Sequence, residues 1–225
     1  MPWTGNRLTL GYVATLPVPS APGKPVNRVL PPQPLQAAIV IGAFTALLYL
    51  LEFVNMAFFR GRLSDYGIVS HEVSGLPGII WAPLLHVSWQ HLASNTLPVL
   101  LFGWLAMAIG VRRWVAVTAT IWLISGLGVW LTEDTDVSTV GASGIAFGWL
   151  TFLLVRGVFN RSIKQLAVAA VLLFYWGSAL WGLLPNVNPE ISWQAHAFGA
   201  LGGLLSAWLV AMANRPTRPA GSLAA

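Results

Sequence analysis

Six apolar runs limit what this chain can fold into. They cover residues 35–59, 92–111, 114–131, 141–155, 166–184 and 193–212. Most approach the roughly 20 residues that carry an α-helix across a hydrocarbon core. Lipid offers no partners to backbone N–H and C=O groups, so such runs become helices that satisfy their own backbone. Of 225 residues, 56% are hydrophobic and 8% charged, which leaves little chain for a soluble domain. The expected fold class is an all-α membrane protein, a bundle of six transmembrane helices. The fourth run is short, as fits a helix that begins below the membrane surface.

Charge sets the expected orientation. If the six spans alternate, Arg7, Lys24, Arg28, Arg112, Arg113, Arg156, Arg161, Lys164, Arg215 and Arg218 share one side. The other side holds Arg60 and Arg62 with Asp65, Glu72, Glu133, Asp134, Asp136 and Glu190. An excess of Lys and Arg marks cytoplasmic loops, so both termini are expected in the cytoplasm. The net charge of +5 does not argue for nucleic acid, because the basic residues are scattered in pairs between apolar runs. No nucleic-acid partner is expected; the lipid bilayer is. Cysteine is absent, which rules out disulfides and thiolate metal sites.

Residues 1–34 are rich in Pro, Gly and small polar residues and read as a flexible cytoplasmic tail, without the apolar core of a secretory signal. Residues 35–213 form the helical domain, and 214–225 a short cytoplasmic tail. The long outer loop, 60–90, carries the apolar stretch LPGIIWAPLL and is expected to lie partly in the membrane interface.

Polar residues gather at one depth. Spans two, four and six all start at the outer face, with His91 and Asn95, Ser143, and His196 near their respective starts. Polar groups inside spans are costly and face the bundle interior or a wet cavity. A hydroxyl and an imidazole at equal depth suggest a nucleophile and its base, since serine needs a neighbour to accept its proton. Gly144 and Gly148 on span four and Gly199 and Gly203 on span six are each four apart, a spacing that lets helix backbones touch. That contact would bring Ser143 to His196. Acyl transfer also needs oxyanion donors. Asn95 and His91, i and i+4 on one helix face, and the first-turn N–H of Ser143 are the candidates.

Gly141-Ala142-Ser143-Gly144, His196-Ala-Phe-Gly199-Ala-Leu-Gly-Gly203 and His91-Leu-Ala-Ser-Asn95 resemble the GxSG, HxxGxxxG and HxxxN signatures of rhomboid intramembrane serine proteases. The resemblance covers about residues 35 to 213. It implies a multi-pass protein of the cell (plasma or inner) membrane whose substrates are transmembrane proteins. Ser143 would be nucleophile and His196 general base in a dyad without aspartate; Asn95 and His91 would line the oxyanion hole. Span five and its outer loop would form a gate and cap. His86 would have at most a supporting role. Three family features differ. Trp81-Ala82 stands where many members have Trp-Arg, and Phe147 replaces a common Tyr while keeping the ring. Apolar Ala106–Gly110 stands where many carry a glutamate.

Other readings fit the residues less well. A rhomboid-like protein that binds or escorts transmembrane segments without catalysis would usually lack the serine or the histidine. A transporter would show an internal repeat and paired broken helices, and none is seen. Asp134 and Asp136 as third triad members are less natural than as solvated loop residues. Glu52 and Asn55 read as a paired or wet couple near the outer interface, and His71 and His86 as interfacial loop residues. No cofactor is expected: HExxH is absent, and His86 and His91, five apart, share no helical face for zinc. No oligomeric state follows from the sequence.

Overall fold

The structure is a computed structural model, and it describes residues 27–185, 187 and 191–214. The expected tails at 1–26 and 215–225, and residues 186 and 188–190 of the expected cap, lie outside the described residues.

Among the described residues seven α-helices carry the fold: α1 (Pro34–Phe58), α2 (Gly78–Trp81), α3 (Trp89–Ala106), α4 (Val111–Thr132), α5 (Ser143–Phe159), α6 (Ile163–Trp176) and α7 (Trp193–Ala213). Short 3-10 turns extend α3 through Ile109 and α6 through Leu183. With those extensions, five helices among the described residues are long and apolar enough to cross a membrane: α1, α3, α4, α6 and α7.

Helix α5 is the exception. Its 17 residues reach roughly 25 Å, short of a roughly 30 Å hydrocarbon core. It compensates by burial. Ile145, Trp149, Leu150, Phe152 and Leu153 are all but inaccessible, and the helix packs against α3, α4, α6 and α7. A helix apolar all round belongs in a protein interior, and this one is the axis of the bundle. The Trp149 ring stacks on Trp114 of α4 at 5.6 Å, and its indole N–H donates to Thr118. Helix α1 sits outside, against α3.

Boundaries differ from expectation for local reasons. Helix α5 starts at Ser143, because Gly141 has a φ of +126°, incompatible with a helix. It runs to Phe159 and takes Arg156 with it, so this expected loop cation is a buried side chain, 2% exposed. Its Nη2 donates to the carbonyl of Arg28 at 3.0 Å, and Gln165 Nε2 donates to the same oxygen. The chain expected to be free through residue 34 is thus tied down at Arg28.

The loop between α1 and α3 is folded rather than extended. Strands β1 (Ile68–Val69) and β2 (Ser138–Thr139) pair antiparallel, joining it to the α4–α5 connection. Ile79 of α2 presses on Gly126 of α4, where an added Cβ would lie 2.6 Å from its side chain. Trp122 donates its indole N–H to Ile79 O.

Candidate active site

At the β1–β2 end of the bundle, three helix starts meet. Gly141 turns the chain into α5, its N–H held by Ala82 O at 2.8 Å. A side chain here would be strained by φ and would also meet the His91 ring at 2.8 Å. Ser143 opens α5, where first-turn N–H groups have no intrahelical acceptor. Ser192 caps α7, its hydroxyl oxygen accepting from Ala195 N at 3.1 Å, and His196 follows in the first turn. Ser88 caps α3 in the same way at His91 N.

The contact between α5 and α7 is backbone on backbone. A Cβ on Gly199 would sit 2.0 Å from Gly144 O, and one on Gly203 the same distance from Gly148 O. With nothing between the helices, Ser143 Oγ lies 2.9 Å from His196 Nε2. His196 Nδ1 lies 3.0 Å from the carbonyl of Gly182, in the 3-10 turn that extends α6. A carbonyl only accepts, so Nδ1 carries the ring proton. Nε2 is left as the acceptor facing the serine hydroxyl. Phe147, one turn along α5, stacks on the imidazole with centroids 4.0 Å apart and planes 13° apart.

Asn95 is 5% exposed and donates one amide N–H to His91 O at 3.0 Å. An amide nitrogen has two hydrogens, so a second donor remains. Asn95, His91, Ser143, Phe147 and His196 line one open cavity of about 830 Å³. All four expected site residues, Ser143, His196, Asn95 and His91, therefore border the same space.

The secondary candidates sort differently. Asp134 lies on the cavity rim but does not orient His196; the Gly182 carbonyl takes that place. Asp136 is exposed. His71 is exposed and bonds Leu131 O. His86 is no interfacial residue. It is 1% exposed and packs edge-on to His91 at 5.1 Å, with neither ring nitrogen hydrogen bonded among the described residues. Burial first, and the neighbouring His91 second, push its imidazole down to about 3. Glu52 is buried and paired, accepting from Asn55 at 3.3 Å.

Sequence reasoning passed over Gly182 and Ser192. Gly182 acts through its backbone, which leaves no side-chain signature. Ser192 was legible as a helix cap, a small hydroxyl just before an apolar run.

Comparison with known proteins identifies the family. The Rhomboid domain profile matches residues 74–213. An uncharacterized protein of Mycobacterium tuberculosis is 41% identical over 182 residues, covering 78% of this chain and 75% of its own. An uncharacterized protein of Mycobacterium leprae is 38% identical, covering 80% and 74%. A Bacillus subtilis protein provisionally named a rhomboid protease is 31% identical over 127 residues, covering 56% and 63%. With the profile matched across more than half its length, this multi-pass membrane chain belongs to the rhomboid family.

Proposed function

We propose that the protein is an intramembrane serine endopeptidase that cuts transmembrane segments of other membrane proteins near the outer face. The observation that carries this reading is the dyad geometry: Ser143 Oγ at 2.9 Å from an imidazole nitrogen whose opposite nitrogen is committed to Gly182 O. A backbone carbonyl does here what an aspartate does in a triad, fixing tautomer and ring orientation.

In this reading the six helices cross the cell membrane with both termini in the cytoplasm. The short α5 spans with them because protein surrounds it, and the site opens toward the outer face. A substrate segment arrives sideways between α3 and α6, where Phe102 and Trp176 meet edge to face at 5.5 Å. It must unwind locally, because a helix hides its peptide bonds; small or helix-weakening residues at the cut make this easier. Ser143 Oγ attacks the carbonyl carbon while His196 Nε2 takes its proton. The oxyanion rests against the Ser143 N–H, the free N–H of Asn95 and His91. The imidazolium then protonates the departing amine. Water in the half-polar cavity, activated by the same nitrogen, hydrolyses the acyl-enzyme.

Cleavage of a labelled transmembrane substrate in liposomes tests this. Wild type is expected to cut; Ser143→Ala and His196→Ala are expected to lose essentially all activity, by at least about 10³-fold. A serine variant that cuts like wild type refutes the dyad. An inert wild type that still retains transmembrane partners would instead favour the non-catalytic reading.

A further inference from the structure

Helix α4 supplies no reacting atom, yet it grips the residues on either side of the catalytic pair. Ser125, buried in its second half, donates its hydroxyl proton to Ala195 O at 2.8 Å. The N–H of the same residue goes to Ser192 Oγ, and the Ser192 hydroxyl proton goes to Glu133 Oε2 just past the end of α4. Both backbone polar groups of Ala195, the residue before His196, are therefore connected to α4. Ser125 also abuts Gly144, the residue after Ser143; a Cβ there would lie 2.4 Å from its hydroxyl oxygen. One turn on, Phe198 of α7 seats on Gly128, where a Cβ would fall 2.0 Å from the ring.

A serine or threonine in a membrane helix ordinarily bonds its own helix four residues back. Thr120 and Thr132 of α4 do so, at Ala116 O and Gly128 O. Ser125 instead reaches across to α7, and it does so at the residue adjoining the base. Proton transfer between Ser143 and His196 tolerates misplacement of only about half an ångström. We propose that Ser125 and Glu133 are positioning residues, which together set the height and rotation of His196 over Ser143. This rests on the dyad reading above. Neither side chain touches the reacting atoms; both act through the backbone around Ala195.

The test uses the full chain in liposomes, with Ser125→Ala, Glu133→Ala, Glu133→Gln and the control Thr120→Ala. Three quantities are read: kcat and KM on a transmembrane peptide substrate, the rate at which a fluorophosphonate labels Ser143, and the thermal midpoint. Losing one such hydrogen bond is expected to lower kcat and the labelling rate by about 5- to 10-fold in each alanine variant, with KM unchanged. Glu133→Gln keeps an oxygen that accepts from Ser192 and should restore most of the wild-type rate. Thr120→Ala should match wild type. The proposal is overturned if the two alanine variants keep wild-type kcat. It is equally overturned if their losses merely track a fallen folded fraction, or if the glutamine variant is as slow as the alanine one. A wild type as inert as Ser143→Ala toward both reagents sinks the dyad and the positioning role together. An active wild type with unaffected variants sinks the positioning role alone.

Discussion

Asn95 and His86 show how one burial class serves two purposes at the residue scale. Asn95 is buried yet borders the cavity, with one amide N–H donated to His91 O and a second beyond that bond. Losing one oxyanion donor costs about 10²-fold or more in kcat. Asn95→Ala is expected to show that loss in substrate turnover with its thermal midpoint nearly unchanged; an unaltered rate would reduce Asn95 to packing. His86 is buried and neutral. Its folded-state value near 3 lies far below the ordinary 6.5, so between those two values the unfolded chain holds the extra proton. Stability contributed at neutral pH is therefore lost as pH falls below about 6.5, by about 2 kcal/mol at pH 5. Thermal unfolding in detergent should show a midpoint that drops between pH 7 and 5 in wild type and drops markedly less in His86→Leu. Parallel curves would show that other groups govern acid sensitivity.

Among the elements, the α5–α7 pair decides whether a site exists. Its glycines give up side chains so that backbones meet, and the meeting sets the Ser143 to His196 distance. Gly199→Val drives a branched side chain against Gly144 O. Overpacking of this kind costs about 1–3 kcal/mol or more, and cleavage should vanish before the protein unfolds. Measuring fluorophosphonate labelling alongside the thermal midpoint checks that order. Gly42 of α1 is the contrast, with nothing among the described residues within 4 Å of an added Cβ. Gly42→Ala should raise the midpoint slightly, by the equivalent of about 0.5–1 kcal/mol from helix propensity, without changing activity. A loss of activity there would place α1 closer to the chemistry than its outer position against α3 suggests.

Over the whole molecule, charge segregation yields a topology that labelling can check. The chain has no cysteine, so single cysteines report without interference. With both termini in the cytoplasm, Asp136→Cys should react with a membrane-impermeant maleimide on intact cells. Lys164→Cys should react only after permeabilisation. The reverse pattern would invert the bundle and move the cavity to the inner face. The anchoring of Arg28 O by Arg156 and Gln165 belongs to the same scale, since it fixes the start of α1 against the far end of α5 and α6.

Spans, charge asymmetry and the residues around the cavity were legible because each is local or periodic. Apolar length declares a helix, and glycines four apart declare a close face. The burial of His86, the tethering at Arg28 and the internal place of α5 were not legible, because burial depends on what packs around a segment. Nor was the hold of α4 on Ala195, which joins residues about 70 positions apart. By itself the sequence determined apolar helices, with a serine and a histidine each near the start of one. Tertiary structure alone decided that Gly182 O would meet His196 Nδ1 and that Ser125 and, through Ser192, Glu133 would be tied to Ala195. Backbone carbonyls and cross-helix hydroxyl bonds leave no periodic mark in a chain; they exist only once the helices are docked.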